Sequence, residues 1–211
     1  MAELRFFFGT MGSGKSTQAL QIRHNLTKSG LATMLITQMD RRDGVVSSRL
    51  GVAQEAVVID GTVDLHRLIA QEHADRQGIH AVVCDEAQFY QPGQVDQLAR
   101  VVDELDIEVY AFGLLTSFQG LLFPGSRRLM EVADVRTELQ VEARCWCGSR
   151  ATHNARLVNG VQTYEGDLKV VGDTAGSAEV AVTYDLRCRR HWLAGKQETV
   201  QDSLFDHPAD Q

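Results

Sequence analysis

The chain has 211 residues, 44% of them hydrophobic and 23% charged, with a formal net charge of −7. That balance describes a globular protein with one solid core and room for a small second module, and it argues against a broad electrostatic grip on nucleic acid while leaving room for a local basic patch. The start, MAELRFFFG, passes from a few apolar residues straight into glycines, unlike a secretion signal, and no stretch approaches the ~18 apolar residues of a membrane span. The expected location is the cytosol, where disulfides are rare, so the four cysteines need another explanation.

In chain order, LRFFF (4–8) reads as a short apolar strand. It runs into GTMGSGKST and then QALQIRHNLTKSG, where Leu20, Ile22, Arg23 and Leu26 mark a moderately amphipathic helix stopped by Gly30. LATMLIT (31–37) predicts a second strand, DRRDGVVSSRLGVA (40–53) a loop, and AVVID (56–60) a short strand. DLHRLIAQEHADRQG (64–78) carries Leu65, Leu68 and Ile69 on one face and reads as a helix. IHAVVCD (79–85) is a buried strand. PGQVDQLARVVDEL (92–105) is a helix with Val95, Leu98, Val101 and Val102 on its stripe, and IEVYAFGLL (107–115) is the next strand. Strands alternating with helices predict an α/β fold: a parallel sheet covered on both faces.

The pattern fades near residue 140. Clustered Cys, Gly and Asn follow, with the strand-like pieces VQTYEG, LKVVG and VAVTYDL and a final Cys–His pair. Residues 1–140 are therefore read as one domain and 141–195 as a smaller one. The polar stretch 196–211 is expected to be disordered.

Gly9-Thr10-Met11-Gly12-Ser13-Gly14-Lys15-Ser16, followed by Thr17, fits the P-loop pattern G-x-x-x-x-G-K-[ST]. Such a loop turns successive backbone N–H groups inward onto phosphate oxygens, and the next helix aims its positive end at the same place. Lys15 then reaches the β and γ phosphates and Ser16 ligates Mg²⁺. In P-loop folds an acid ending a neighbouring strand holds or orients the same ion, which assigns Asp85, the last residue of VVCD, to the metal. Glu86 follows it. It either acts on the phosphate acceptor, orients the metal as a second acid, or is a surface carboxylate.

Cys145-Trp146-Cys147 and Cys188-Arg189-Arg190-His191 form two close pairs of soft ligands about forty residues apart. They predict a four-ligand structural zinc that staples the smaller module, with Cys145, Cys147, Cys188 and His191 as ligands. The alternative is three unrelated cysteines and a surface histidine. Cys84, inside an apolar strand, reads as a core residue.

Taken in order, FFFGTMGSGKST, DEAQFY (85–90), AFGLLTSF with LFPGS (111–126), CGSRATHNAR (147–156) and YDLRCRRH (184–191) resemble the type II thymidine kinases. These are the cytosolic kind, built on a P-loop domain plus a zinc-anchored lasso, and the likeness covers roughly residues 4 to 192. It implies ATP- and Mg²⁺-dependent transfer of phosphate to the 5′-hydroxyl of thymidine, with Glu86 as the general base. Ala87 and Gln88 continue the nucleotide-side loop, with alanine where many members have glycine. Asp40 and Arg42 match an Asp-x-Arg whose acid lies near Mg²⁺ and whose arginine stabilises the transferred phosphoryl.

Phe89, Leu114, Phe118 and Phe123 match groups that sandwich the base, although as bare residues they read equally well as core. Leu168-Lys169-Val170-Val171-Gly172 matches the lasso over the thymine edge, flanked by Asn154 and Tyr184. Asn154 stands where threonine is common. The first zinc cysteine of much of the family falls on Arg144 here, so Cys145 takes its place. One methyl group discriminates by only ~1–3 kcal/mol, so deoxyuridine is expected to be accepted as well. The resemblance also implies a homotetramer and feedback inhibition by thymidine triphosphate.

Two other readings compete. One is a P-loop ATPase switch whose zinc module binds a partner, which would have no use for a lasso. The other, a zinc-ribbon nucleic-acid binder, needs a basic face. The arginines of 143–195 are mixed with acids, so neither a nucleic-acid partner nor a membrane is expected.

Overall fold

The structure, a computed structural model, describes residues 1–38, 45–47, 53–139, 142–168 and 181–195. In chain order the elements are β1 (Leu4–Gly9), α1 (Lys15–Lys28), β2 (Thr33–Thr37), β3 (Val45–Ser47), β4 (Ala53–Glu55), β5 (Val57–Val58), α2 (Leu65–Asp75) and β6 (Ala81–Asp85). There follow a single 3₁₀ turn (Ala87–Phe89), α3 (Pro92–Leu105), β7 (Glu108–Leu114), α4 (Pro124–Val132), β8 (Val135–Glu138), β9 (His153–Val158), β10 (Val161–Thr163), β11 (Val182–Arg187) and α5 (Arg189–Ala194). The chain divides into two compact units. One is Met1–Leu115 with Leu122–Leu139; the other is Thr116–Leu121 with the described residues beyond 139.

The first unit is a parallel six-stranded sheet in the order β5-β2-β6-β7-β1-β8. Successive side chains of a strand face opposite ways, and here both faces are apolar. Leu4 and Phe6, Met34 and Ile36, Val82 and Cys84, and Val109 and Ala111 point to the side covered by α2, α3 and α4. Leu35, Val83 and Phe112 point to the side covered by α1 through Ala19 and Leu20. A sheet buried on both sides explains why β2 and β6 read as continuous apolar runs. Because all six strands run the same way, their C-terminal ends share one edge, where ligands of open α/β sheets bind.

Most predicted elements appear where expected; α3 spans Pro92–Leu105 as read from its stripe. Three differences have physical causes. The stretch read as a loop over 40–53 contains β3, which pairs antiparallel with β4. The helix α4 and strand β8 have no counterpart in the sequence pattern. α4 is only nine residues long and its fully buried positions include the small Gly125 and Ser126 beside Leu129, so few bulky apolar residues mark it, and β8 is a mostly exposed edge strand. Part of the 40–53 reading, most of LKVVG and the whole 196–211 tail lie outside the described residues.

The second unit holds a three-stranded antiparallel sheet in the order β10-β9-β11, followed by the short α5. The loop Thr116–Leu121 belongs to it. Trp192 Nε1 donates to the Phe118 carbonyl at 3.2 Å and Asn154 Nδ2 to the Thr116 carbonyl at 3.3 Å. No helix among the described residues is long and apolar enough to cross a membrane.

Candidate active site and metal centre

β1 ends at Gly9 and α1 begins at Lys15, with Gly14 as its N-cap in the left-handed region at φ 78°. The intervening turn is the predicted P-loop. Lys15 Nζ donates to the Thr10 carbonyl at 2.7 Å and lies 3.2 Å from Ser13 Oγ, so the ammonium lies back across its own loop.

Asp85, the last residue of β6, is buried. Burial first, and the adjacent Glu86 charge second, push its carboxyl up to about 6, while the Ser16 hydroxyl, the Glu86 amide and Lys15 act the other way. A buried carboxylate hydrogen-bonded to the P-loop serine, beside the P-loop lysine, is the donor set a divalent cation needs on a nucleotide. The residues present therefore fit Mg²⁺, which Ser16 and Asp85 would hold from the protein side.

Glu86 occupies a left-handed conformation, φ 53° and ψ 33°, uncommon for a residue with a Cβ. The twist turns the chain sharply out of the sheet into the 3₁₀ turn, and the Glu86 amide donates back to Asp85 Oδ1 at 3.0 Å. The two acids are thus separated: Asp85 stays in the sheet edge and Glu86 stands half-exposed beyond it. Gln88 completes the turn. It is 1% exposed; its Nε2 donates to Glu86 Oε2 and its Oε1 accepts from the Leu114 amide at 3.1 Å.

Two glycines make room for this turn. A Cβ on Gly113 would stand 2.9 Å from both Gln88 N and Oε1, and one on Gly125 would stand 2.5 Å from the Ala87 carbonyl oxygen and 2.7 Å from that of Tyr90. Both positions require the absence of a side chain.

Of the predicted base-binding groups, the first unit brings Phe89 and Phe123 together edge to face, ring centroids 5.5 Å apart. Leu114 ends β7, its amide held by Gln88. Ala87 is fully buried in the main core as well as part of the turn. In the second unit the Phe118 ring lies under the Arg156 guanidinium at 5.1 Å, Asn154 reaches Thr116, and Tyr184 pairs with Arg156 across β11 and β9. Leu168 is half-buried. Asp40, Arg42, Lys169, Val170, Val171 and Gly172 lie outside the described residues.

The predicted metal ligands converge. One ligand atom each from Cys145, Cys147, Cys188 and His191 lies within 4.8 Å of every other. Cys147 Sγ is 3.9 Å from Cys188 Sγ, and Cys145 Sγ is 3.2 Å from His191 Nδ1. Thiolates ~2.3 Å from a tetrahedral zinc lie ~3.8 Å apart, so the cluster fits that ion. The tight C-x-C pair sits on a hairpin closed by the Arg144–Arg150 bridge and the Cys145 amide to Ser149 carbonyl bond of 2.9 Å. The Ser149 hydroxyl and amide hold the Cys147 thiol down at about 7, toward the thiolate a metal requires. Cys84 is a core residue as expected, its thiol pushed up to about 12 by burial.

The sequence reading missed Gln88 as the bridge that ties Glu86 to β7, along with the two glycines that admit it and Arg156 over Phe118. The signal for Gln88 was a polar residue between two apolar ones, Ala87 and Phe89.

The thymidine kinase family model matches residues 2–192. A thymidine kinase of Streptomyces coelicolor is 53% identical over 192 residues, covering 90% of this chain and 88% of its own. One from Cutibacterium acnes is 47% identical over 196 residues, covering 92% and 90%, and one from Mesorhizobium japonicum is 40% identical over 196, covering 91% of each. Among solved structures, the Pif1 helicase from Candida albicans aligns with a TM-score of 0.42 and 14% identity over 66% of this chain and 36% of its own, a likeness from which no function follows. With its P-loop, doubled acid and Cys/His cluster, the chain belongs to the thymidine kinase family.

Proposed function

We propose that the protein transfers the γ-phosphoryl of ATP to the 5′-hydroxyl of thymidine, giving thymidine monophosphate and ADP, and that Glu86 takes the hydroxyl proton. The observation that carries this reading is the separation of the two acids: Asp85 buried against Ser16, Glu86 turned out of the sheet and held by Gln88. The Gln88 amide hydrogen-bonds one oxygen of the Glu86 carboxylate, which leaves the other to accept a proton from an alcohol within hydrogen-bond reach. Lys15 and the amides of Gly9–Ser16 bind the phosphates. Ser16 and Asp85 would hold Mg²⁺, which would supply positive charge to the phosphates. Family resemblance supports a further contribution to that charge from Arg42, with Asp40 near the metal.

Phe89, Leu114 and Phe123, all in the first unit, form apolar contacts of the base in this reading. The Cys145, Cys147, Cys188 and His191 cluster holds a structural zinc, since four protein ligands leave no open position for chemistry. The same resemblance supports a cytoplasmic homotetramer inhibited by thymidine triphosphate.

The test is product formation: purified protein with ATP, Mg²⁺ and each common nucleoside, scored for monophosphate. Thymidine is expected to be the preferred acceptor, with deoxyuridine next. Hydrolysis of ATP without nucleoside phosphorylation would contradict the proposal.

A further inference from the structure

Trp146 stands between the first two cysteines of the cluster, and its indole lies face to face with the imidazole of His191, centroids 4.6 Å apart and planes 10° apart. The same indole carries the guanidinium of Arg187, whose central carbon is 4.8 Å from the ring centroid. Arg187 is itself anchored. It is 2% exposed, its Nε donates to Asp185 Oδ2 at 3.0 Å, and its Nη1 donates to Gln162 Oε1. His191 turns Nδ1 toward Cys145 Sγ, which makes Nδ1 the nitrogen presented to the cluster.

An imidazole on a short helix can rotate about two side-chain bonds, and a metal ligand must not. Histidine ligands are commonly fixed by a hydrogen bond from the second ring nitrogen. Here a flat aromatic neighbour also restricts the ring plane. Three thiolates and a neutral imidazole on a divalent ion also carry one negative charge in excess, and a buried guanidinium needs anionic company. Asp185 supplies it through the 3.0 Å pair to Arg187 Nε.

We infer that Trp146 is a positioning residue for the metal centre: its indole, pinned by the buried Arg187, fixes the His191 ring so that Nδ1 faces the three thiolates. The inference rests on the proposed zinc reading and deepens it. It also accounts for how a pair with only one intervening residue can serve, because that residue itself braces the fourth ligand.

The experiment uses the full-length protein and two substitutions, Trp146→Ala and Trp146→Phe. Zinc affinity is read by competition with a chromophoric chelator, and ligand geometry by the visible absorption of the Co²⁺-substituted protein. Trp146 is only partly buried, so its loss spares the core. Trp146→Ala is expected to weaken zinc binding about 10-fold or more and to alter the cobalt bands, while Trp146→Phe keeps a flat ring and retains most of the affinity. Unchanged affinity and cobalt spectrum in Trp146→Ala would overturn the inference, as would equal losses in both variants. A wild-type protein that takes up no zinc would remove the zinc reading itself, and the inference with it.

Discussion

Gln88 Nε2 lies 2.5 Å from Glu86 Oε2, joining two side chains of one tight turn, and the other end of the same amide accepts from the Leu114 backbone at 3.1 Å. The carboxylate is thereby tied to the end of β7 rather than to a loose loop. Gln88→Ala is expected to lower kcat ~10-fold or more, because a base displaced by a fraction of an ångström to an ångström loses its alignment. ATP affinity should stay within a few-fold of wild type. Steady-state kinetics with a separate nucleotide-binding assay checks this; an unchanged kcat would free Glu86 from its dependence on Gln88.

Asp85 gives a prediction with a defined sign. Its carboxyl is raised from 3.8 to about 6 in the folded protein, so between those values the folded state holds the proton more firmly than the unfolded chain. Stability of the metal-free protein therefore falls as pH rises through that window. Asp85→Asn removes the titration. Its melting temperature without metal should exceed that of wild type at pH 7, with the gap closing near pH 4, while its Mg²⁺-dependent turnover drops ~10²-fold or more. Thermal melts across pH with EDTA present check the first part. A variant less stable than wild type at pH 7 would contradict it.

Gly125 tests the packing behind the turn. Its missing Cβ would meet the Ala87 and Tyr90 carbonyl oxygens at 2.5 and 2.7 Å, and backbone atoms cannot swing aside as a side-chain tip can. Gly125→Ala is expected to cost ~1–3 kcal/mol, seen as a lower midpoint in urea with an unchanged slope. Because the clash is with the turn that carries Glu86, kcat should fall as well.

Removing the metal should act on the second unit. Treatment with a strong chelator, or Cys188→Ser, is expected to lower the melting temperature by several degrees and to depress phosphorylation of thymidine. Metal analysis of the untreated protein should give about one zinc per chain. Full activity and unchanged melting after chelation would show that the cluster does not staple the fold.

Much of this was legible in the sequence wherever chemistry demands fixed spacing or burial demands a period. The P-loop announces itself because glycines, lysine and serine must stand at set offsets. The stripe of Val95, Leu98, Val101 and Val102 marks α3 because a helix repeats its apolar face. What stayed hidden are elements buried through small or polar residues. Gly125 and Ser126 fill two of the three fully buried positions of α4, beside Leu129, so a short helix presents little bulky apolar side chain to read.

Asn154, Arg156 and Arg187 are polar residues buried in the second unit. Asn154 meets the Thr116 carbonyl, Arg156 the Phe118 ring, and Arg187 the Gln162 amide oxygen and the Trp146 ring, all distant in sequence. The doubled acid was legible as a puzzle but not as geometry. That Asp85 and Glu86 part company depends on a left-handed residue, a conformation no residue type at position 86 signals.

The central claim is that Glu86 withdraws the proton from thymidine while the P-loop holds the nucleotide, and single-turnover phosphoryl transfer by Glu86→Gln tests it most directly. The amide keeps the size of the side chain but cannot take up the proton. The expected result is a rate ~10²-fold or more below wild type with ATP and thymidine still bound at near-normal affinity. A variant that phosphorylates thymidine at the wild-type rate would contradict that role.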